Sequence, residues 1–325
     1  MKELFVLLKQ GNKSAFLAAI VNTVIAIIKG VAYGFTGNVA MFAETLHSLG
    51  DAANQFFVFI GSALSKKAPT PRFPNGFGRL VNLVLLGAVL IVGIMSFETV
   101  KEGFHHIIHP TKSTGLLINL SVLLLSVILE SFVLFKAAKE IAHETGINEK
   151  GVMLLIKSIG SLKRAKPATK LVFMEDTVAT LGGILAIVSI LLSHFTPFHQ
   201  AEGIASVIIG LMMFIVVGRV FLDNAAGVLG ESDEEMKQKI GDMIINDPDV
   251  KDIQDISVIK EGETLHVEVE IEVDPLITVA KADVIKDRLE EAIRQEKGVA
   301  DVIVEFDEDD GIKQWTEKNE TKENS

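Results

Sequence analysis

Six apolar runs, at about residues 14–36, 39–64, 79–100, 114–137, 171–193 and 202–222, alternate with short polar stretches over the first two thirds of the chain. Each reaches the roughly 20 residues that a helix needs to cross a bilayer. Helices of a soluble bundle would show polar faces, and most of these runs have none, so the pattern predicts spanning helices. A seventh run, Val152 to Ile159, is too short to span. It reads either as a small amphipathic element at the membrane interface or as part of a basic tether.

After Leu229 the periodicity changes. Ser232, followed by Asp233, Glu234 and Glu235, marks a helix start, and the helix is expected to run to about Ile245, where NDPD breaks it. IQDISVIK and the alternating LHVEVEIEV read as strands joined by EGET. A second helix at about Ile277 to Glu296 leads through KGVA to the strand DVIVEF. The order αββαβ predicts a small, two-layer, metallochaperone-like α+β domain. The expected organisation is a six-helix transmembrane domain at 1–225, an αββαβ domain at 226–310 and a disordered polar tail at 311–325.

Charge divides along the same line. Residues 227–325 hold 29 acidic and 12 basic side chains, a net of −17, while the remainder carries +6. Overall hydrophobic content is 49%, which is high for a soluble protein. Lys and Arg crowd the N-terminal segment, the second loop (Lys66, Lys67, Arg72, Arg79) and the fourth loop, which runs from Lys136 to Lys170 and includes Lys163, Arg164 and Lys166. The alternate loops hold few, so both termini and the α+β domain are expected on the cytoplasmic side of a multi-pass membrane protein. In a bacterium that membrane would be the inner one. MKELFVLLKQGNKSAF has no early small-residue cleavage site, and no removable signal peptide is read there. The chain has no Cys, which excludes disulfides and thiolate metal sites and leaves His, Asp, Glu, amides or water as donors.

The second run carries Glu44, His47, Asp51, Asn54 and Gln55 at helical spacings of three and four. His47 and Asp51, one turn apart, share a face and could hold one ion. Ionisable groups at membrane depth are unfavourable unless paired, hydrated or liganded, so the pair is a functional candidate. Imidazole with carboxylate suits zinc, iron(II) or manganese. The fifth run places Glu175 beside Asp176; adjacent helical positions differ by about 100°, so the two point in different directions. Asn22 and Glu130 are further polar groups inside apolar runs. Lys29 could neutralise one of the carboxylates or reach outward to the interface.

Two other clusters carry less weight. His105, His106 and His109 are expected beyond the end of the third span, near the surface. In the α+β domain His266, Glu268, Glu270 and Glu272 alternate along one strand and share a face with Glu305 and Asp307. That surface reads as a solvated sheet face or as a divalent-ion site that screens the acidic charge. No nucleophile–base pair or phosphate loop appears, so no enzyme is expected.

Six spans, the intramembrane His-x-x-x-Asp, an acidic fifth span and an αββαβ domain together resemble the cation diffusion facilitator family over about Gly11 to Asp307. AETLHSLGDAANQ with FMEDTVATLGGILA is similar to its zinc transporter 9-like branch. The resemblance implies a homodimeric exporter of divalent cations, with zinc expected foremost, working in exchange for protons. It implies no cofactor and no nucleic-acid partner. His47, Asp51 and Asp176 match family ligand positions, whereas Val172 stands where a fourth ligand would be. Glu175, Glu130, Asn22 and Glu44 are then candidate additional ligands or proton sites, and His266, Glu268, Glu270, Glu305 and Asp307 a candidate cytoplasmic ion site. Phe73 and Phe77 replace loop histidines of many members, so the accessory loop site is expected to be absent. The alternatives are an iron(II) or manganese exporter of the same family, or a membrane-anchored metal sensor or interaction protein.

Overall fold

The computed structural model describes residues 2–147, 149–162, 167–262 and 264–315. The first part of the chain is helical: α1 (Lys2–Gln10), α2 (Lys13–Thr36), α3 (Val39–Ser65), α4 (Leu80–Ile108), α5 (Leu116–Thr145), α6 (Val152–Gly160), α7 (Pro167–Phe195) and α8 (Ala201–Leu229). Five of these, α2, α4, α5, α7 and α8, are long and apolar enough to cross a membrane. The 27-residue α3 is equally long and contains the polar stripe Glu44–His47–Asp51. All six expected spans are therefore present as helices. Asn12 begins α2 by accepting hydrogen bonds from the Ser14 and Ala15 amides, and Gly37, with φ of 65°, ends it in the left-handed conformation.

Three of the helices outrun their apolar runs. The third span continues to Ile108, so His105 and His106 lie in its last turn and not beyond it. Lys101, paired with Glu98 at 2.9 Å, carries the helix on in polar sequence until Pro110. The fourth continues to Thr145, where Gly146 stops it with φ of 73°. The sixth runs to Leu229, ahead of Gly230. Hydropathy marks where lipid would end, whereas caps mark where the helix ends.

Two compact units are present, one of Leu8–Gly61 with Val84–Asp223, the other of Met1–Leu7, Ser62–Leu83 and Asn224–Ser325. In the first, α4 and α8 approach through small residues. A Cβ on Gly203 would stand 2.7 Å from the Gly103 carbonyl oxygen, and one on Gly210 would stand 2.6 Å from Val100. Ser206 Oγ donates to the Thr99 carbonyl at 3.0 Å along the same seam. The core between α3, α5, α7 and α8 contains Met41, Ala43, Leu123, Ala186, Ile190 and Ile209. The short run beyond α5 is a helix, α6, whose Leu154 joins Leu134, Ala138, Ile141 and Phe173.

The second unit holds α9 (Glu234–Ile245), β1 (Asp252–Glu261), β2 (Thr264–Val273), α10 (Val279–Arg294) and β3 (Val299–Glu308). The sheet order is β1-β2-β3, with β1 antiparallel and β3 parallel to β2. The parallel pair is joined by α10, as a crossover requires. Alternate residues Val267, Val269, Ile271, Val302 and Val304 bury one sheet face against Ile240, Ile285, Leu289 and Ile293 of the helices. Asp233, one residue later than expected, caps α9 by accepting from the Met236 amide at 3.0 Å.

The segment after β3 departs from the expected free tail. Trp315 is 6% exposed and belongs to the domain core. The Gln314 amide donates to Asp252, and its side chain meets Gln254. Residues 316–325, together with Lys163, Arg164 and Lys166 of the basic loop, lie outside the described residues. In the second loop the Phe73 and Phe77 rings pack at 5.1 Å, and Arg79 reaches Glu261 of β1 at 3.2 Å.

Candidate functional site

Helix α3 carries its polar residues at spacings of three and four, so they share one face. One turn of helix brings His47 Nε2 to 3.6 Å from Asp51 Oδ2. His47 is almost sealed, its Nε2 without a hydrogen-bond partner among the described residues, whereas the Asp51 side chain is 36% exposed. Both line a cavity of about 30 Å3. Its other polar walls are Asn54 and Glu175, and its apolar walls are Val89 and Val92 of α4 with Met213, Val216, Val217 and Val220 of α8. Asn54 Nδ2 donates to Glu175 Oε1 at 3.3 Å, which aims that carboxylate at the α3 stripe. A space of this size takes a water or a bare ion and excludes organic solutes.

Of the adjacent carboxylates on α7, Glu175 lines the cavity and Asp176 does not. Asp176 Oδ2 is buried without a hydrogen-bond partner among the described residues. Asp51 lies within electrostatic range of both. Val172 is 46% exposed and offers no donor. Among the described residues, no three His, Asp or Glu side chains close to a distance that could hold a metal. The donors share a cavity without being drawn into a coordination sphere.

Glu44 and Glu130 are brought together elsewhere. Lys29 of α2, fully buried, places Nζ 2.8 Å from Glu44 Oε2 and 3.1 Å from Glu130 Oε1. Ser126 Oγ adds a hydrogen bond to Glu130 Oε1 at 2.8 Å. This cluster joins α2, α3 and α5, and it explains how charged groups persist at that depth: each carboxylate meets a cation instead of lipid. Neither Glu44 nor Glu130 lines the cavity. Asn22, two turns before Lys29 on α2, is half-buried and also stays outside it. Helix α7 approaches the cluster through Gly182, where a Cβ would stand 2.7 Å from Glu44 Oε1.

The remaining candidates do not line the cavity. His106 is buried with Nε2 3.2 Å from the Thr111 carbonyl, while the rings of exposed His105 and His109 lie 5.2 Å apart and tilted by 55°. In the α+β domain His266 lies between Glu268 (2.9 Å) and Asp301 (3.1 Å). Asp301 was not expected there; the parallel register that sets it opposite His266 exists only once the strands are paired. Glu270 faces Glu305, and Glu272 faces Asp307, across the β2–β3 ladder. The apolar walls of the membrane cavity were also absent from the sequence-based candidates, because valines in a spanning run carry no distinguishing signal.

The chain thus combines membrane-length helices, an ion-sized cavity that holds His47, Asp51, Asn54 and Glu175, and a small α+β domain. The family model of the cation efflux transmembrane domain matches residues 15–228, and that of the cation efflux protein cytoplasmic domain matches 232–309. The chain belongs to the cation efflux family, whose members are transporters and not enzymes. It is 28% identical over 257 residues to the mitochondrial proton-coupled zinc antiporter SLC30A9 of Homo sapiens, covering 77% of this chain and 44% of that one. The Xenopus laevis protein of the same name is 27% identical over 259 residues, 78% of this chain and 45% of that one. The cation-efflux pump FieF of Escherichia coli (strain K12 / DH10B) is 21% identical over 301 residues, 91% of this chain and 92% of that one. The chain thus spans less than half the length of the two antiporters and nearly all of the bacterial pump.

Proposed function

We propose that this chain exports a divalent cation, zinc foremost, in exchange for protons, with His47 and Asp51 as the fixed half of the transport site. The cavity in which these two meet Glu175 carries the reading. A divalent ion there would take donors from α3 and α7, and the valine walls would hold it in a low-dielectric surround where charge attraction is strong. Protons compete for the same imidazole and carboxylates, so loading from one side and protonation from the other yields exchange. The Glu175–Asp176 pair gives α7 two ways to complete the site: a turn of about 100° about its axis exchanges one carboxylate for the other. Asp176, which the resemblance sets at a family ligand position, is then the ligand of a second rotational state.

The resemblance supports a homodimer with termini and α+β domain on the cytoplasmic side, in the inner membrane if the source is bacterial. The zinc antiporters named above support zinc and proton coupling. Iron(II) or manganese is the second reading, because the cavity offers one imidazole among oxygen donors, a set that also suits harder ions. Flux into proteoliposomes, with zinc, iron(II) and manganese in competition at two pH values, tests both readings. Zinc uptake that dissipates a proton gradient, and is lost in Asp51→Ala, is the expected result; undiminished flux of all three ions in Asp51→Ala overturns the site.

A further inference from the structure

Helix α6 is apolar on two sides. Leu154 and Ser158 face α5, with Ser158 Oγ donating to the Ala138 carbonyl at 3.3 Å. Val152, Ile156 and Ile159, spaced four and three residues apart, form a second stripe that is 67%, 58% and 55% exposed. Apolar surface at that density on a nine-residue helix needs an apolar surround, and in a membrane protein the acyl boundary supplies it.

Beside this helix runs a groove of about 960 Å3 against the end of α5. Its lining combines Phe132 and Phe135 with Lys136, Lys139 and Lys150. Its carboxylate, Glu149, is held by Lys157 at 2.6 Å, so it does not neutralise the three lysines. Among the described residues none of the three has an ion-pair partner, and all are exposed. The occupant that fits must therefore combine an anionic group with apolar surface.

We infer that the groove between α5 and α6 binds an anionic phospholipid, its phosphate among Lys136, Lys139 and Lys150 and its acyl chains along Phe132 and the exposed face of α6. Long lysine stems reach from an apolar surround to the headgroup level, and a phosphate there supplies them with a counterion. The inference stands apart from the transport reading, since neither the groove nor its lysines belong to the ion cavity.

Native mass spectrometry of the full chain in detergent, titrated with phosphatidylglycerol, phosphatidylcholine or inorganic phosphate, tests it. The groove is expected to retain phosphatidylglycerol in preference to phosphatidylcholine, with millimolar phosphate failing to displace it. Each lysine is worth roughly fivefold, so Lys136→Gln/Lys139→Gln/Lys150→Gln loses on the order of a hundredfold in affinity. A control, Lys237→Gln/Lys251→Gln/Lys297→Gln, removes equal charge from the α+β domain and keeps the binding. Should the groove triple variant fail to fold, the single Lys136→Gln and Lys139→Gln variants each carry the fivefold loss. Equal retention of the two lipids, unchanged affinity in the groove variants, or displacement by phosphate overturns the inference.

Discussion

Lys29 Nζ lies 2.8 Å from Glu44 Oε2, and neither side chain is exposed at all. With Glu130 as second partner, the cluster holds one cation against two carboxylates. Removing the cation strands both acids, and a broken buried pair costs about 3–5 kcal/mol. Lys29→Met is therefore expected to lower the melting temperature in detergent sharply. Lys29→Met/Glu44→Gln/Glu130→Gln is expected to recover most of the loss, because neutral amides cost far less to bury than charges. A triple variant as unstable as the single one would show that packing, not charge, is what Lys29 supplies.

Gly182 has a second claim on the same cluster. Alanine there would place its Cβ 2.7 Å from Glu44 Oε1, on a carboxylate whose other oxygen, Oε2, is held by Lys29 Nζ at 2.8 Å. Overpacking of this kind costs about 1–3 kcal/mol. Gly182→Ala is expected to destabilise the wild-type chain and to cost less in Glu44→Ala, where the opposing oxygen is gone. Additive losses would mean that the close approach carries no strain.

The adjacent acids of α7 give separable outcomes in flux. Glu175 lines the cavity and Asp176 stands outside it, so Glu175→Gln is expected to weaken ion binding directly and raise the ion concentration for half-maximal flux. Asp176→Asn is expected to lower maximal flux, since it removes the carboxylate of the other rotational state. Identical effects from both would argue against two states of α7.

Period and length were enough to place every spanning helix and all five elements of the α+β domain, because lipid thickness and strand alternation leave a direct imprint on sequence. The polar stripe of α3 was legible for the same reason. What escaped depended on tertiary placement. Which of Glu175 and Asp176 meets the stripe is a matter of how α7 is rotated, and adjacent residues do not encode that. Glu44 looked equivalent to His47 along the helix, yet Lys29 on another helix claims it. Trp315, in a run of polar residues, has no periodic neighbours to announce that it is core.

One row of the sheet predicts a pH effect. Asp252, Glu272 and Asp307 stand side by side on β1, β2 and β3, with Asp252 and Glu272 each 1% exposed. Burial, and then the charges of Asp310, Asp252, Asp309 and Asp307, push the Glu272 carboxyl above the usual range. The folded state therefore holds its proton to higher pH than the unfolded state, and stability falls as pH rises from the ordinary value of about 4.3 through the raised one. Glu272→Gln is expected to raise the melting temperature at pH 8 and to give no gain near pH 3.5. A gain that is constant across that range would rule out titration of Glu272 as its source.

Trp315 offers the most discriminating test of packing, because its partner is a glycine. A Cβ at Gly241 of α9 would stand 2.0 Å from Trp315 Cζ2, so the indole occupies the space where any other residue would put a side chain. Trp315→Ala is expected to cost about 3–5 kcal/mol in the unfolding of the α+β domain. Gly241→Ala should be strongly destabilising in the intact chain for the steric reason. In the Trp315→Ala background the clash is gone and only helix propensity remains, which favours alanine over glycine by about 1 kcal/mol. The sign of Gly241→Ala should thus reverse between the two backgrounds, a coupling that only direct contact produces. If Gly241→Ala is destabilising by the same amount in both, Trp315 does not sit on α9 in solution, and the chain after β3 is the free tail that its composition predicts.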